Sequence, residues 1–203
     1  MKARLLLLLL LGVSALSALS ACGNPTEAKA TVKVIDDTAA VFGLTGAPLD
    51  GPTALNTFVP RVVRADPSQN YDVVFDFRVD PATNDTFAVI LPPRAVGAFG
   101  SAGIQKSTAD YSTILQAPTS GYNDSTAVRI DSGNVVLIQS RAAACASQLV
   151  EQRQFIYSKL VIDSIRTPPY DQVTRPTGNT IFFRMRVDPN CGFISFANGL
   201  PTF

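Results

Sequence analysis

An apolar period of two limits this chain more than any other feature. Tyr71, Val73, Phe75, Phe77 and Val79 would share one face of an extended segment, with Asp72, Asp76, Arg78 and Asp80 on the other. Only Val74 breaks the alternation. Ile181, Phe183, Met185 and Val187 repeat the pattern against Arg184, Arg186 and Asp188. A strand with one wet and one dry face produces this signature, whereas a helix needs a period near 3.6. Phe155 to Ile165 reads as a long strand rich in β-branched and aromatic residues. Thr31–Ile35, Ala40–Leu44, Phe87–Leu91, Thr126–Ile130 and Asn134–Gln139 complete the expected set. Between two of them, Asp131-Ser132-Gly133-Asn134 reads as the turn of a tight hairpin. Asp80-Pro81, Asp188-Pro189-Asn190 and Thr167-Pro168-Pro169 stop strands, because proline cannot donate to a ladder. Helix signals are confined to Ala142–Gln152 and Asp110–Gln116. The expected fold is all-β: a single antiparallel β-sandwich or curved-sheet domain over residues 31–203, with few short helices.

The first residues are of another kind. Met1-Lys2-Ala3-Arg4 is basic, Leu5 to Leu11 is an unbroken leucine run, and Gly12 to Ala21 is small and apolar. These are the three parts of a secretory signal peptide. Leu19-Ser20-Ala21-Cys22-Gly23 then resembles the bacterial lipobox, a leucine and two small residues before a cysteine. The resemblance implies that residues 1–21 are cleaved as a lipoprotein signal peptide and that Cys22 carries the lipid. An ordinary cleaved leader with an incidental cysteine is the alternative. The membrane then becomes a partner through the lipid on Cys22, and residues 22–30 become a lipidated cysteine with a polar tether. Eight extended residues, 23–30, reach at most about 28 Å, so the domain stays close to the membrane. Gly23 stands where lipoproteins retained in the inner membrane commonly carry Asp, which makes the outer membrane the preferred location in the cell envelope.

With Cys22 assigned to lipid, Cys145 and Cys191 remain. An exported protein can pair them. Two free buried thiols or a redox pair are the alternatives, although a redox pair would be expected at C-x-x-C spacing.

Composition removes several kinds of chemistry. No His is present, so Ser-His-Asp and Cys-His catalysis and every imidazole metal site are absent. A formal charge of +1 leaves no basic footprint for nucleic acid. The run Gly97-Ala98-Phe99-Gly100-Ser101-Ala102-Gly103-Ile104-Gln105-Lys106-Ser107 invites comparison with a phosphate-binding loop. That motif needs lysine directly after glycine; here Ile104 and Gln105 intervene, and a flexible surface loop is the expectation. Asp72, Asp76 and Asp80 would stand about 13 Å apart per four-residue step, too far for a glycosidase pair, and read as a solvated sheet face. The loop from Asp80 to Thr86 lacks both EF-hand spacing and a bidentate Glu. Ser158 and Lys159 would face opposite sides of one strand. No enzyme activity, metal or cofactor is expected.

The strand series carries a wider resemblance. Tyr71-Asp72-Val73-Val74-Phe75, Asp110-Tyr111-Ser112 with Ala117-Pro118-Thr119-Ser120-Gly121-Tyr122, Tyr157-Ser158-Lys159-Leu160-Val161-Ile162 and Ile181-Phe182-Phe183-Arg184 are similar to the serial pattern of HmuY-like lipoproteins. That family is all-β, lipid-anchored and haem-binding. It grips iron with paired His or Met, whereas this chain has no His and only Met185 beyond the leader. The resemblance therefore implies the scaffold without its ligands. Two functions follow: a binding module for an unknown small molecule or protein, or a structural or assembly lipoprotein docking an envelope complex. The binding module would use aromatic loops at Gly121-Tyr122 and Pro169-Tyr170-Asp171. A concave pocket would favour the first, and a flat apolar patch the second.

Overall fold

The computed structural model describes residues 29–148, 154–167 and 178–201. Cys22, the tether up to residue 28 and the Pro169-Tyr170-Asp171 loop lie outside them. Ten strands follow in order: β1 Ile35–Phe42, β2 Ala54–Asn56, β3 Arg61–Val63, β4 Val73–Val79, β5 Thr86–Leu91, β6 Gly103–Ser107, β7 Val128–Ile130, β8 Val135–Ser140, β9 Ile156–Arg166 and β10 Thr180–Asp188. Two five-stranded sheets result, ordered β1-β10-β9-β8-β6 and β3-β2-β4-β5-β7, with every neighbouring pair antiparallel. The protein is all-β, its two sheets packed against each other. Among the described residues no helix is long and apolar enough to cross a membrane.

Alternation places the core. Val73 and Phe75 of β4 meet Ile181, Phe183, Met185 and Val187 of β10 between the sheets. Phe75 stacks on Phe183 with ring centroids 5.3 Å apart, one contact that fixes how the sheets face each other. Val74, the residue out of pattern, is buried on the other side of β4 with Ala54, Val89 and Leu91, beneath Tyr71, Ala95 and Val96. Tyr71 therefore packs with Val74 rather than sharing the face of Val73 and Phe75. The first sheet has a second apolar layer as well: Leu137, Tyr157 and Val161 lie under Ile114, Ala117 and Phe196. Strands covered on both faces lose the clean alternation, which is why residues 156–162 read as one buried run.

A bulge between Phe182 and Phe183 adjusts β9 against β10. Phe182 pairs with Ser164 and Phe183 with Ile162, so Asp163 is the extra residue. It shifts the phase and returns Ile165 to the core side opposite Ile181.

Several sequence expectations need correction. Thr31–Ile35 and Ala40–Leu44 are not two strands. One edge strand, β1, runs from Ile35 through Asp36, Asp37 and Thr38, held by pairing to β10 and by the Asp36 carboxylate, which accepts from Arg186 at 2.6 Å. The turn at 131–134 exists, with Gly133 at φ 83°, but it closes no hairpin. β7 pairs with β5 and β8 with β6 and β9, so this turn carries the chain from one sheet to the other. Gly103–Ser107 is strand β6, paired with β8, and not a flexible loop. Of the helix expected over 142–152, the described part forms a single 3₁₀ turn at Ala143–Cys145. Residues 110–116 form a turn at 111–113 followed by an antiparallel bridge from Gln116 to Ser195. The carbonyls of Tyr111 and Ile114 there accept from the Lys159 ammonium, and Pro118 could not have bonded the Ile114 carbonyl in a helix.

Candidate functional site

A cleft of about 900 Å³ opens at one end of the sandwich. Its floor is the chain entering β4 at Tyr71 and Asp72, its walls Leu44, the β2–β3 turn, the 3₁₀ turn Pro93–Val96 with the following loop to Ala102, and the chain leaving β8 at Ser140–Ala144. The aromatic lining is Phe58, Tyr71 and Phe99, and Gln69, Asn70, Asp72 and Arg141 supply polar groups.

Asp72 locks the floor. Its carboxylate accepts from the Thr57 amide at 2.6 Å, from the Thr57 hydroxyl at 2.7 Å and from the Ser140 hydroxyl. Thr57 and Ser140 are both buried, so this one side chain ties the β2–β3 turn to the end of β8 across the two sheets. The expectation of a solvated row fails here, because Asp72 precedes the strand and turns inward. Asp76 accepts from the Thr45 amide at 2.8 Å and Asp80 from the Ala82 amide at 2.9 Å, so each of the three carboxylates holds a different turn. Ser140 thereby serves as a cross-link between the end of β8 and the β2–β3 turn.

The glycine-rich run forms the cleft rim. Gly97 adopts φ 72° and ends the 3₁₀ turn, and a Cβ on Gly100 would come within 2.7 Å of Pro93. That close approach folds the loop back and leaves Phe99 fully exposed at its tip. On the opposite wall the structure joins Cys145 to Cys191, with Cα atoms 5.5 Å apart. Phe58, Ala142 and Ile156 pack on the pair. Arg141 lies with its guanidinium 5.3 Å from the Phe155 ring centroid, and burial followed by the nearby Asp66 raises the Tyr71 phenol above its ordinary range.

Other sequence candidates lie elsewhere. Tyr122 is not a solvent-facing binding residue. It lies in the second apolar layer, 6.2 Å from the Tyr157 ring, and its hydroxyl has no hydrogen-bond partner among the described residues. Met185 is buried in the core between the sheets. Ser158 and Lys159 do face opposite sides of β9: Ser158 pairs with the core residues Val187 and Ile138, and Lys159 enters the outer layer. The Lys159 ammonium donates to the Tyr111 and Ile114 carbonyls at 2.6 and 2.8 Å, and lies 4.3 Å from the Tyr111 ring centroid. Burial, and then the charge of Arg186, lowers its pKa. Nothing in the sequence marked Lys159 as a buried tie; a lone lysine in an apolar strand was the available signal. Among the described residues no three Cys, Asp or Glu side chains cluster as a metal site requires.

No family model matches the chain, and no curated protein matches it.

Proposed function

We propose that this is a lipid-anchored, non-catalytic binding module of the cell envelope, preferably of the outer membrane, which holds its ligand in the cleft. The observation that carries the reading is the cleft itself: a concavity at one end of a rigid sandwich, edged by three aromatic rings and few charges, on a floor fixed by Asp72. Ligand sites have this composition, apolar walls with a small number of placed polar groups. The lipobox resemblance supports the anchor, and the similarity to HmuY-like lipoproteins supports a scaffold that has kept its form without haem ligands.

Native mass spectrometry of protein extracted from its own membranes tests the reading. The expected result is one co-purifying small molecule that is lost in Ser101→Trp, a variant that fills the cleft rim. A bare protein mass together with a stable complex of envelope proteins would favour the assembly lipoprotein instead. Haemin should not be that molecule. Met185 is enclosed by the core, and a tyrosinate ligand would have to overcome a phenol pKa near 10. Titration with haemin is expected to show no sharp Soret shift and no saturable binding below about 10 μM, a free energy weaker than roughly 7 kcal/mol. A six-coordinate one-to-one complex would refute this.

A further inference from the structure

We infer that the tether end of the sandwich rests on the membrane, with Phe99 at the cleft rim entering the interfacial zone of the bilayer. The inference rests on the reading of Cys22 as a lipid anchor, and it adds which surface of the domain faces the lipid.

Asn190 clamps the first residues after the tether: its Oδ1 accepts from the amides of Thr31 and Val32 at 2.9 and 3.0 Å, and its Nδ2 donates to the Val32 carbonyl at 2.7 Å. Cys191 is the next residue and is bonded to Cys145, on which the cleft residues Phe58 and Ala142 pack. The tether therefore leaves the domain beside the cleft wall. Residues 23–30 span at most about 28 Å, too short a reach for the domain to drift far from a lipid on Cys22.

Of the eight large apolar side chains exposed among the described residues, five belong to this end: Val32 in the clamp, Val59 beside Phe58, Leu200, and Leu44 and Phe99 in the cleft lining. Leu200 follows Gly199, whose carbonyl accepts from the Val34 amide at 3.3 Å. Phe99 is wholly exposed on a loop folded back by Gly100. Leaving a phenylalanine in water is unfavourable, and an interface that buries it binds in proportion to the apolar area covered. The opposite end of the same hairpin carries one exposed large apolar residue, Val79, beside the polar turn Asp80, Thr83, Asn84 and Asp85. The β4–β5 turn at Asp80–Asp85 lies the full length of β4 away, about 23 Å for seven residues at strand rise.

The chain contains no Trp, so one introduced residue reports its own surroundings. The experiment uses the full-length lipidated protein in phosphatidylethanolamine–phosphatidylglycerol vesicles, comparing Phe99→Trp with Ala82→Trp in the β4–β5 turn. Both positions are exposed, and circular dichroism of each variant confirms the fold. On vesicles, Phe99→Trp is expected to shift its emission to the blue and to be quenched by brominated lipid, while Ala82→Trp keeps the emission it has in water. Mass spectrometry of the amino-terminal peptide separates the two readings. With acyl groups on Cys22, an unshifted and unquenched Phe99→Trp, or equal quenching at both positions, overturns this inference and leaves the anchor standing. An amino terminus without acyl groups removes the anchor and this orientation together.

Discussion

Reducing the Cys145–Cys191 bond should destabilise the protein by about 4 kcal/mol, the chain-entropy value for a loop of this length. The two residues are 46 apart in sequence. For a chain of this size about 4 kcal/mol corresponds to a melting temperature lower by roughly 8–16 °C. The loss should also be local. The bond ties the turn after β8 to the loop after β10, and Phe58, Ala142 and Ile156 pack directly on it. Amide exchange at 141–145 and 190–193 should accelerate before the β9–β10 ladder does. Scanning calorimetry with and without reductant measures the first effect, and Cys145→Ser/Cys191→Ser should reproduce it. Two alkylatable thiols in the native protein would show that the bond does not form.

The second large effect is expected from Asp188. Its side chain is fully buried; Oδ1 accepts from the Asn190 amide at 3.0 Å and side chain at 2.7 Å, and Oδ2 has no partner among the described residues. Burial raises the carboxyl from 3.8 to about 6, against the weaker opposing pull of the Asn190 hydrogen bonds. The folded chain therefore holds this proton more tightly than the unfolded one. Stability is full below about pH 3.8 and is lost as the pH rises through about 6, by up to about 3 kcal/mol. Asp188→Asn should flatten stability across that window and exceed the wild type at neutral pH. Asp36 does not confuse the measurement. Its hydrogen bonds with Arg186 lower its pKa, so its contribution is lost only in more acid solution. Denaturant melts of the two proteins at about pH 4 and pH 7 decide the matter. A wild type that gains stability against Asp188→Asn over this range would refute the assignment. The same carboxyl also accepts from the Asn190 side chain that clamps Thr31 and Val32, so it lies at the point where the tether leaves the domain.

How much of this was legible beforehand depends on the range of the interaction. β4 and β10 announce themselves because a pleated segment sends alternate side chains to opposite faces, and β9 through its run of β-branched and aromatic residues; both signals are local. β2 and β3 are three residues each, too short for any period, and β6 hides in a glycine-rich run whose pairing with β8 shows only in the fold. In the candidate site the disulfide partners were legible because only two cysteines remained for the body of the chain. The cleft was not: Phe58, Tyr71, Phe99 and Arg141 come from four separate stretches. Asp72 was misplaced because an acid beside a strand pattern reads as solvated until Thr57 and Ser140 arrive to bond it.

The residue pattern by itself determined that the described chain would be strands, where several of them would stop at proline, and that catalysis through histidine was absent. Tertiary structure alone decided which sheet each strand joins, sending β7 and β8 apart across a four-residue turn. It also covered both outer faces with loops, which buried Lys159 against two carbonyls and Asp188 beside Asn190. The reason is physical: backbone period reports that a face is dry but not what dries it. The pairing of β1 with β10, the clamp of Asn190 on Thr31 and the burial of Lys159 against the Tyr111 and Ile114 carbonyls all depend on neighbours far along the chain.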